Sequence, residues 1–200
     1  MTIYTPELEE RIMAWARKRQ SAKRFAHTER VVEAVTALAE KWAPDEVMVC
    51  RLAGWIHDSA KNYSDSKLLQ KAQEYRVPIN AVEWEKPMLL HGIIAYHRAA
   101  KKFGLDDERI KTACAYHTTG SPDMSVTDKL LFLADLIEPE RNFPLVDHIR
   151  DLAMIDVDKA LLLAVDGTLR YLLSSKRIID PRILLLYNEL VRQLDERLQT

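Results

Sequence analysis

The sequence predicts an all-α fold, and three observations carry that expectation. Apolar residues recur at spacings of three and four through almost the whole chain. Only five glycines occur in 200 residues, with no Gly-rich phosphate loop among them. No segment alternates long enough to be a strand, and Arg177-Ile-Ile179 is too short.

Taken in order, Thr5 and Pro6 read as the cap and first position of a helix running to about Arg19. A second helix carries Phe25, Val31, Val32, Val35, Leu38, Ala39 and Trp42 on one face. Pro44-Asp-Glu opens a third, where first-turn acids suit the positive end of the helix dipole. Val47, Val49, Leu52, Ala53 and Ile56 lead it into His57-Asp58. Asp65 to Tyr75 reads as a short fourth, and Pro78 and Pro87 frame a short helix or irregular stretch. A helix from Leu89 to Lys102 should end at Phe103-Gly104, with Gly as a left-handed cap. Asp106 to His117 follows, stopped by Thr118-Thr-Gly-Ser-Pro122. Ser125 caps the apolar run Leu130 to Ile137, which Pro139 closes. Leu145 to Ala153 is a further short helix, and Asp156 to Ser174 and Pro181 to Leu198 are long and amphipathic. The sum is a bundle of roughly nine to eleven helices in one domain, residues 1–200, with a core over about 20–155. Helices over 156–198 should pack on that core through Leu161, Val165, Leu169 and Leu172, and through Ile183, Leu186, Leu190 and Leu194. A homodimer interface is the second use open to those stripes.

Composition narrows the function class. The chain is 48% hydrophobic and 30% charged with a net charge of -1, so no bulk electrostatics draws it to nucleic acid or a membrane surface. No stretch approaches the ~20 apolar residues needed to span a bilayer. Met1 to Glu10 lacks the apolar run of a secretory leader. Cys50 and Cys114 lie in apolar helical stretches, as buried free thiols of a reducing compartment would. A cytoplasmic enzyme or adaptor is expected.

Adjacent His57 and Asp58 project about 100° apart on one helical turn, so they can grip a metal from neighbouring directions. The dipeptide alone is common by chance; the rest of the chain gives it meaning. His27, His57, His91 and His117 each fall where an apolar helix meets a turn or polar flank. Asp135 lies in the otherwise apolar run Leu131 to Ile137, where an ionised carboxylate is costly unless paired or metal-bound. Capping a neighbouring helix or pairing with Arg141 is its other use. Such a set suits two metals held between facing helices. Imidazole and carboxylate donors favour iron, manganese, cobalt or zinc, and no Cys need take part.

The segments Arg24-x-x-His27, His57-Asp58-x-Ala-Lys61, His91, His117-Thr-Thr-Gly120 and Ala134-Asp-Leu-Ile-Glu-Pro-Glu-Arg141 match one family in order and spacing. The chain resembles the HD-domain metal-dependent phosphohydrolases, and most closely their YqeK-type bacterial branch of symmetrical bis(5'-nucleosyl)-tetraphosphatases. The match spans Arg24 to Leu173. The His-Asp pair marks only the superfamily, whereas the segments around His117 and Asp135 select the branch. The resemblance implies an HD-type helical bundle with two divalent metals, iron first, with manganese or cobalt as alternatives. It implies that His27, His57, Asp58 and Asp135 hold one ion, that Asp58, His91 and His117 hold the other, and that Asp58 bridges. The implied substrate is a dinucleoside polyphosphate, diadenosine tetraphosphate, split at its central linkage into two ADP.

Around this set, Asp58, Lys61 and Arg141 are the candidate catalytic residues. Lys61 lies one turn past His57 and Arg141 follows the Asp135 turn, so both should reach phosphate oxygens; Arg24 is a weaker candidate. Thr118 and Thr119 should donate to phosphate or hold the His117 tautomer, and Glu138 should orient a ligand histidine or the water. His97 and His148 match no ligand position and read as surface or supporting residues. The basic run Arg17-Lys-Arg19 with Lys23-Arg24 reads as a solvated helix face, with drawing in a polyanionic substrate as its other use. Two departures from the family stand out: Arg30 where a Gly is usual, and Ile94-Ala95 where Gly-Ala is usual. Neither removes a ligand, but both bear on the pocket wall. The competing readings are an HD phosphohydrolase for another nucleotide or phosphate ester, an inactive metal-binding nucleotide sensor, and a helical scaffold with incidental histidines.

Overall fold

A computed structural model describes residues 4–199; the start of the Met1–Glu10 segment and Thr200 lie outside the described residues. Within it the chain forms α1 (Pro6–Arg17), α2 (Ala22–Trp42), α3 (Val47–Ile56), α4 (Asp65–Glu74), α5 (Ala81–Glu85) and α6 (His91–Phe103). There follow α7 (Glu108–Tyr116), α8 (Val126–Ile137), α9 (Val146–Ala153), α10 (Val157–Ser174) and α11 (Pro181–Leu198). Single 3-10 turns at Pro44–Glu46 and Pro87–Leu90 precede α3 and α6. No strand occurs among the described residues, and none of their helices is long and apolar enough to cross a membrane.

Local chemistry sets the boundaries. Thr5, Ser21, Ser64 and Ser125 each accept a first-turn amide, satisfying donors that the helix itself leaves over. Gly104 ends α6 at φ 69°. Several ends depart from expectation: Pro44–Glu46 is a separate 3-10 turn before α3, and α7 starts at Glu108, after its cap Asp107, not at Asp106. The first helix stops at Arg17, because residues 18–20 form a turn before Ser21 restarts the chain as a cap. The sixth begins at His91 rather than Leu89, because Lys86 is non-helical (φ -130°, ψ 70°) before Pro87 and the proline opens a tighter turn. The basic run is not simply solvated either: the Arg19 guanidinium lies 4.4 Å from the Trp15 ring centroid and donates to the Trp15 carbonyl at 2.8 Å.

The third helix is the axis of the molecule, touching α1, α2, α6, α7 and α8. Leu52, Ala53 and Ile56 are fully buried along it. Gly54 lets α2 approach closely, since a Cβ there would lie 2.9 Å from Val32 Cγ2. An element enclosed on so many sides carries its C-terminal residues, His57 and Asp58, into the middle of the fold. Helix α10 packs on α8, α9 and α11. Of the apolar stripes of α10 and α11, Leu161, Val165, Leu169, Ile183, Leu186 and Leu190 are buried within the chain, whereas Leu172 and Leu194 are half-buried.

Helix α11 is anchored at its start by buried charge. Arg182 donates to Asp180 Oδ1 at 2.8 Å, to Asp180 Oδ2 at 2.7 Å and to Glu83 Oε1 at 2.6 Å, and Asn80 adds a bond to Asp180 at 3.1 Å. Arg182→Met strands two buried carboxylates and should cost about 3–5 kcal/mol, read as a lower denaturant midpoint. Burial pushes the Asp180 carboxyl up, but the bonds from Arg182 and Asn80 outweigh it and hold it below its usual range. A folded-state value below the unfolded one gives stabilisation that is complete above roughly pH 4 and lost as pH falls through the folded value. The gap between wild type and variant should therefore narrow in acid; an equal gap at pH 3 and pH 7 would remove the ion pair as its cause.

Candidate metal centre

Five helices deliver six side chains to one point. His27 comes from α2, His57 and Asp58 from the end of α3, His91 opens α6, His117 follows α7 and Asp135 sits in the last turn of α8. The Asp58 carboxylate is at the centre. Its Oδ1 is 3.0 Å from His91 Nε2 and 3.9 Å from His117 Nε2. Its Oδ2 is 3.8 Å from His57 Nε2 and 4.0 Å from His27 Nε2. His27 Nε2 also lies 2.9 Å from Asp135 Oδ1, and His91 Nε2 lies 3.0 Å from His117 Nε2. Potential donor atoms of His27, His57 and Asp135 lie within 4.8 Å of one another, as do those of His57, Asp58 and His117.

The other ring nitrogens decide what these atoms are. His57 Nδ1 lies 2.6 Å from the Gly54 carbonyl, His91 Nδ1 2.6 Å from Met88 O, and His117 Nδ1 2.8 Å from Cys114 O. Carbonyls only accept, so each Nδ1 carries the proton and each neutral ring turns a bare Nε2 lone pair inward. His27 reaches the same state through Glu138 Oε1 at 3.1 Å. Four acceptor nitrogens thus converge on two carboxylates, themselves acceptors. His57 Nε2 is buried with no hydrogen-bond partner. Acceptors packed against acceptors need a cation between them, and nitrogen and oxygen donors of this kind fit a divalent metal.

Electrostatics agree at His57 and His117; at His27 burial is outweighed by the Asp135 and Glu138 carboxylates, which raise the imidazole, so that ring ligates once a cation displaces its proton. Burial pushes His57 and His117 below the usual imidazole value, reinforced at His117 by His91 and His57, so both stay in the neutral, ligating form. Burial opposes ionisation of Asp58, but His57, His91 and Lys61 outweigh it and hold the carboxyl well below its usual range. Asp135 is likewise held low against burial by His27 and neighbouring imidazoles. Burial of Glu138 is outweighed by Arg30, the Glu140 amide and His27, which hold it at about 2.

The rim is cationic. The Arg24, Lys61 and Arg141 side chains are 35%, 26% and 39% exposed beside an Asp58 that is 3% exposed, so the site opens to solvent past three positive charges. Arg24 reaches Asp58 Oδ2 at 3.0 Å, and Lys61 Nζ lies 3.1 Å from His91 Nε2. Arg141 bonds both the Asp135 carboxylate, at 3.0 Å, and the Asp135 carbonyl, at 2.9 Å. The pairing considered for Asp135 and its place in the histidine cluster therefore coexist. Thr118 Oγ1 lies 3.1 Å from His117 Nε2, on the inward side of the ring; the Cys114 carbonyl, not Thr118, fixes the tautomer. Thr119 is buried and bonds the Gly120 carbonyl, away from the cluster. His97 stacks on Tyr75 with ring centroids 5.2 Å apart, and His148 is exposed.

Three contributors went unread in the sequence. Gly92 was overlooked beside His91, although a small residue next to a ligand is a signal in itself: a Cβ there would overlap the Cys114 carbonyl oxygen and lie 2.9 Å from His117 Cε1. Arg150 of α9 donates to the carbonyls of Ile137 at 2.8 Å, Glu138 at 2.8 Å and Arg141 at 2.8 Å, clamping the turn that carries Glu138 and Arg141. Arg30 was noted only as a departure, yet it bonds Glu138 Oε2 at 2.6 Å. Ile94, the other departure, is fully buried core.

Residues 24–140 match the model of the HD domain. That segment holds every residue of the cluster and more than half of the chain. The chain belongs to the HD domain family. Two relatives of this HD domain protein carry the name symmetrical bis(5'-nucleosyl)-tetraphosphatase. The Bacillus subtilis protein is 31% identical over 91% of this chain and 97% of its own length. The Staphylococcus aureus protein is 37% identical over 69% of this chain and 70% of its own. A crystal structure from Clostridium acetobutylicum, described as a "predicted HD superfamily hydrolase involved in NAD metabolism", superposes with a TM-score of 0.88 at 28% identity. It covers 96% of this HD domain chain and 100% of that one.

Proposed function

We propose that this chain is a metal-dependent hydrolase that cleaves diadenosine tetraphosphate symmetrically into two ADP. The observation that carries the chemistry is the set of four Nε2 lone pairs converging on Asp58 and Asp135 with each Nδ1 already bonded. The relatives' name carries the substrate. His27, His57, Asp58 and Asp135 would hold one ion and Asp58, His91 and His117 the other, with iron, manganese or cobalt all suited to these donors. A metal pair bound there would supply Lewis acidity and activate water at neutral pH.

The chain's own residues do the rest. Arg24, Lys61 and Arg141 line the opening and neutralise phosphate oxygens, which is most of what phosphoryl transfer asks of a protein. Thr118 presents a hydroxyl beside His117 for one further bond. Buried walls around Asp58 keep these charges effective. The complete donor set favours turnover over an inactive sensor. The two cysteines are buried free thiols, compatible with a cytoplasmic setting.

The test is a product assay on purified protein with added Mn2+ or, anaerobically, Fe2+. ADP as the only nucleotide product supports central cleavage. AMP with ATP would reject symmetrical cleavage, and no turnover would reject the substrate. Lys61→Met should lower kcat/KM about a hundredfold by removing one charge from the phosphate path, measured from initial rates.

A further inference from the structure

We propose that Arg30 is a positioning residue of the metal centre: through Glu138 it sets the affinity of the His27–Asp135 half of the site, separately from the His91–His117 half. The proposal rests on the metal-binding reading above and adds to it a residue that touches no ligand donor.

The path is continuous. Arg30 Nε donates to Glu138 Oε2 at 2.6 Å, and a second arm reaches Glu140 Oε2 at 2.9 Å. The Glu140 amide donates to the same Glu138 Oε2 at 2.9 Å. Glu138 Oε2 is thus taken up twice, and Oε1, which Arg30 Nη2 also reaches at 3.5 Å, faces His27 Nδ1 at 3.1 Å. Glu138 is 3% exposed and Arg150 pins its carbonyl, so neither end of the residue can drift. Arg30 and His27 lie on α2, one turn apart. The helix therefore supplies the ligand and the cation that fixes the ligand's partner. A carboxylate behind an imidazole orients the ring and raises its basicity, and losing such support typically weakens metal binding tenfold to a hundredfold. The other three histidines lean on backbone carbonyls, out of reach of Arg30.

Binding of Mn2+ to wild type, Arg30→Ala, Arg30→Gln, Glu138→Gln and the Arg30→Ala/Glu138→Gln pair tests this. Free Mn2+ is counted from its aqueous electron-resonance signal, with circular dichroism of the metal-free proteins alongside. Arg30→Ala and Arg30→Gln should each weaken one of two equivalents by about tenfold or more and leave the other unchanged. The pair should bind no more weakly than Glu138→Gln alone, because both changes break one path. Wild-type isotherms in both Arg30 variants would overturn the proposal, as would fully additive losses or equal weakening of both equivalents. A wild type that binds no Mn2+ would instead overturn the metal-centre reading beneath it.

Discussion

Asp58→Ala is expected to remove metal and turnover together. The carboxylate sits within 4.0 Å of an Nε2 from each of four histidines, which is why it is the residue proposed to join the two halves of the site. Metal ions contribute several kcal/mol to such reactions, so turnover should fall by roughly a thousandfold or more. The fold should survive, because what is lost is an acceptor among acceptors rather than a packed apolar side chain. Metal analysis, an ADP assay and circular dichroism on the same preparations check all three. Equal metal content in wild type and Asp58→Ala would sink the bridging role. Near-zero metal in wild type and His57→Ala alike would favour a scaffold with incidental histidines.

Gly92→Ala adds only a methyl group and should be nearly as damaging. The new Cβ would overlap the Cys114 carbonyl oxygen, which is also the acceptor for His117 Nδ1. Moving that oxygen either separates α6 from α7 or releases the His117 ring. Overpacking against backbone costs about 3 kcal/mol or more, and in a chain of this length that lowers Tm by roughly 6–12 °C. Metal binding should weaken in the same variant. A thermal scan and a metal titration decide it; an unchanged Tm with full metal content would show that the close approach of α6 and α7 is not needed.

The difference between Asp58 and Gly92 shows what could be read in advance. Asp58 announces itself through its neighbour His57 and the apolar run before them. The four ligand histidines were legible because each stands where an apolar helix face meets a turn, a local pattern. Helix order followed from periodicity and capping residues, with boundary errors only where a proline or a cap reset the chain. Arg150 had no such signature. Its bonds to the turn after α8 span 9 to 13 residues and exist only because α9 folds back on α8. Glu138 was legible as a candidate partner, but that it chose His27, 111 residues away in sequence, is a fact of packing.

Three of the four imidazoles are steadied by the chain's own carbonyls, each from the residue three positions upstream. A carbonyl cannot be replaced by point mutation, so those three donors are reached only by changes that move the backbone, as at Gly92. His27 alone is steadied by a side chain. Mutation can therefore retune one half of this centre in single steps, at residues 30 and 138, while the other half changes only if the backbone does. On the two-metal reading, such a molecule would adapt to a different metal supply through one ion and hold the second constant.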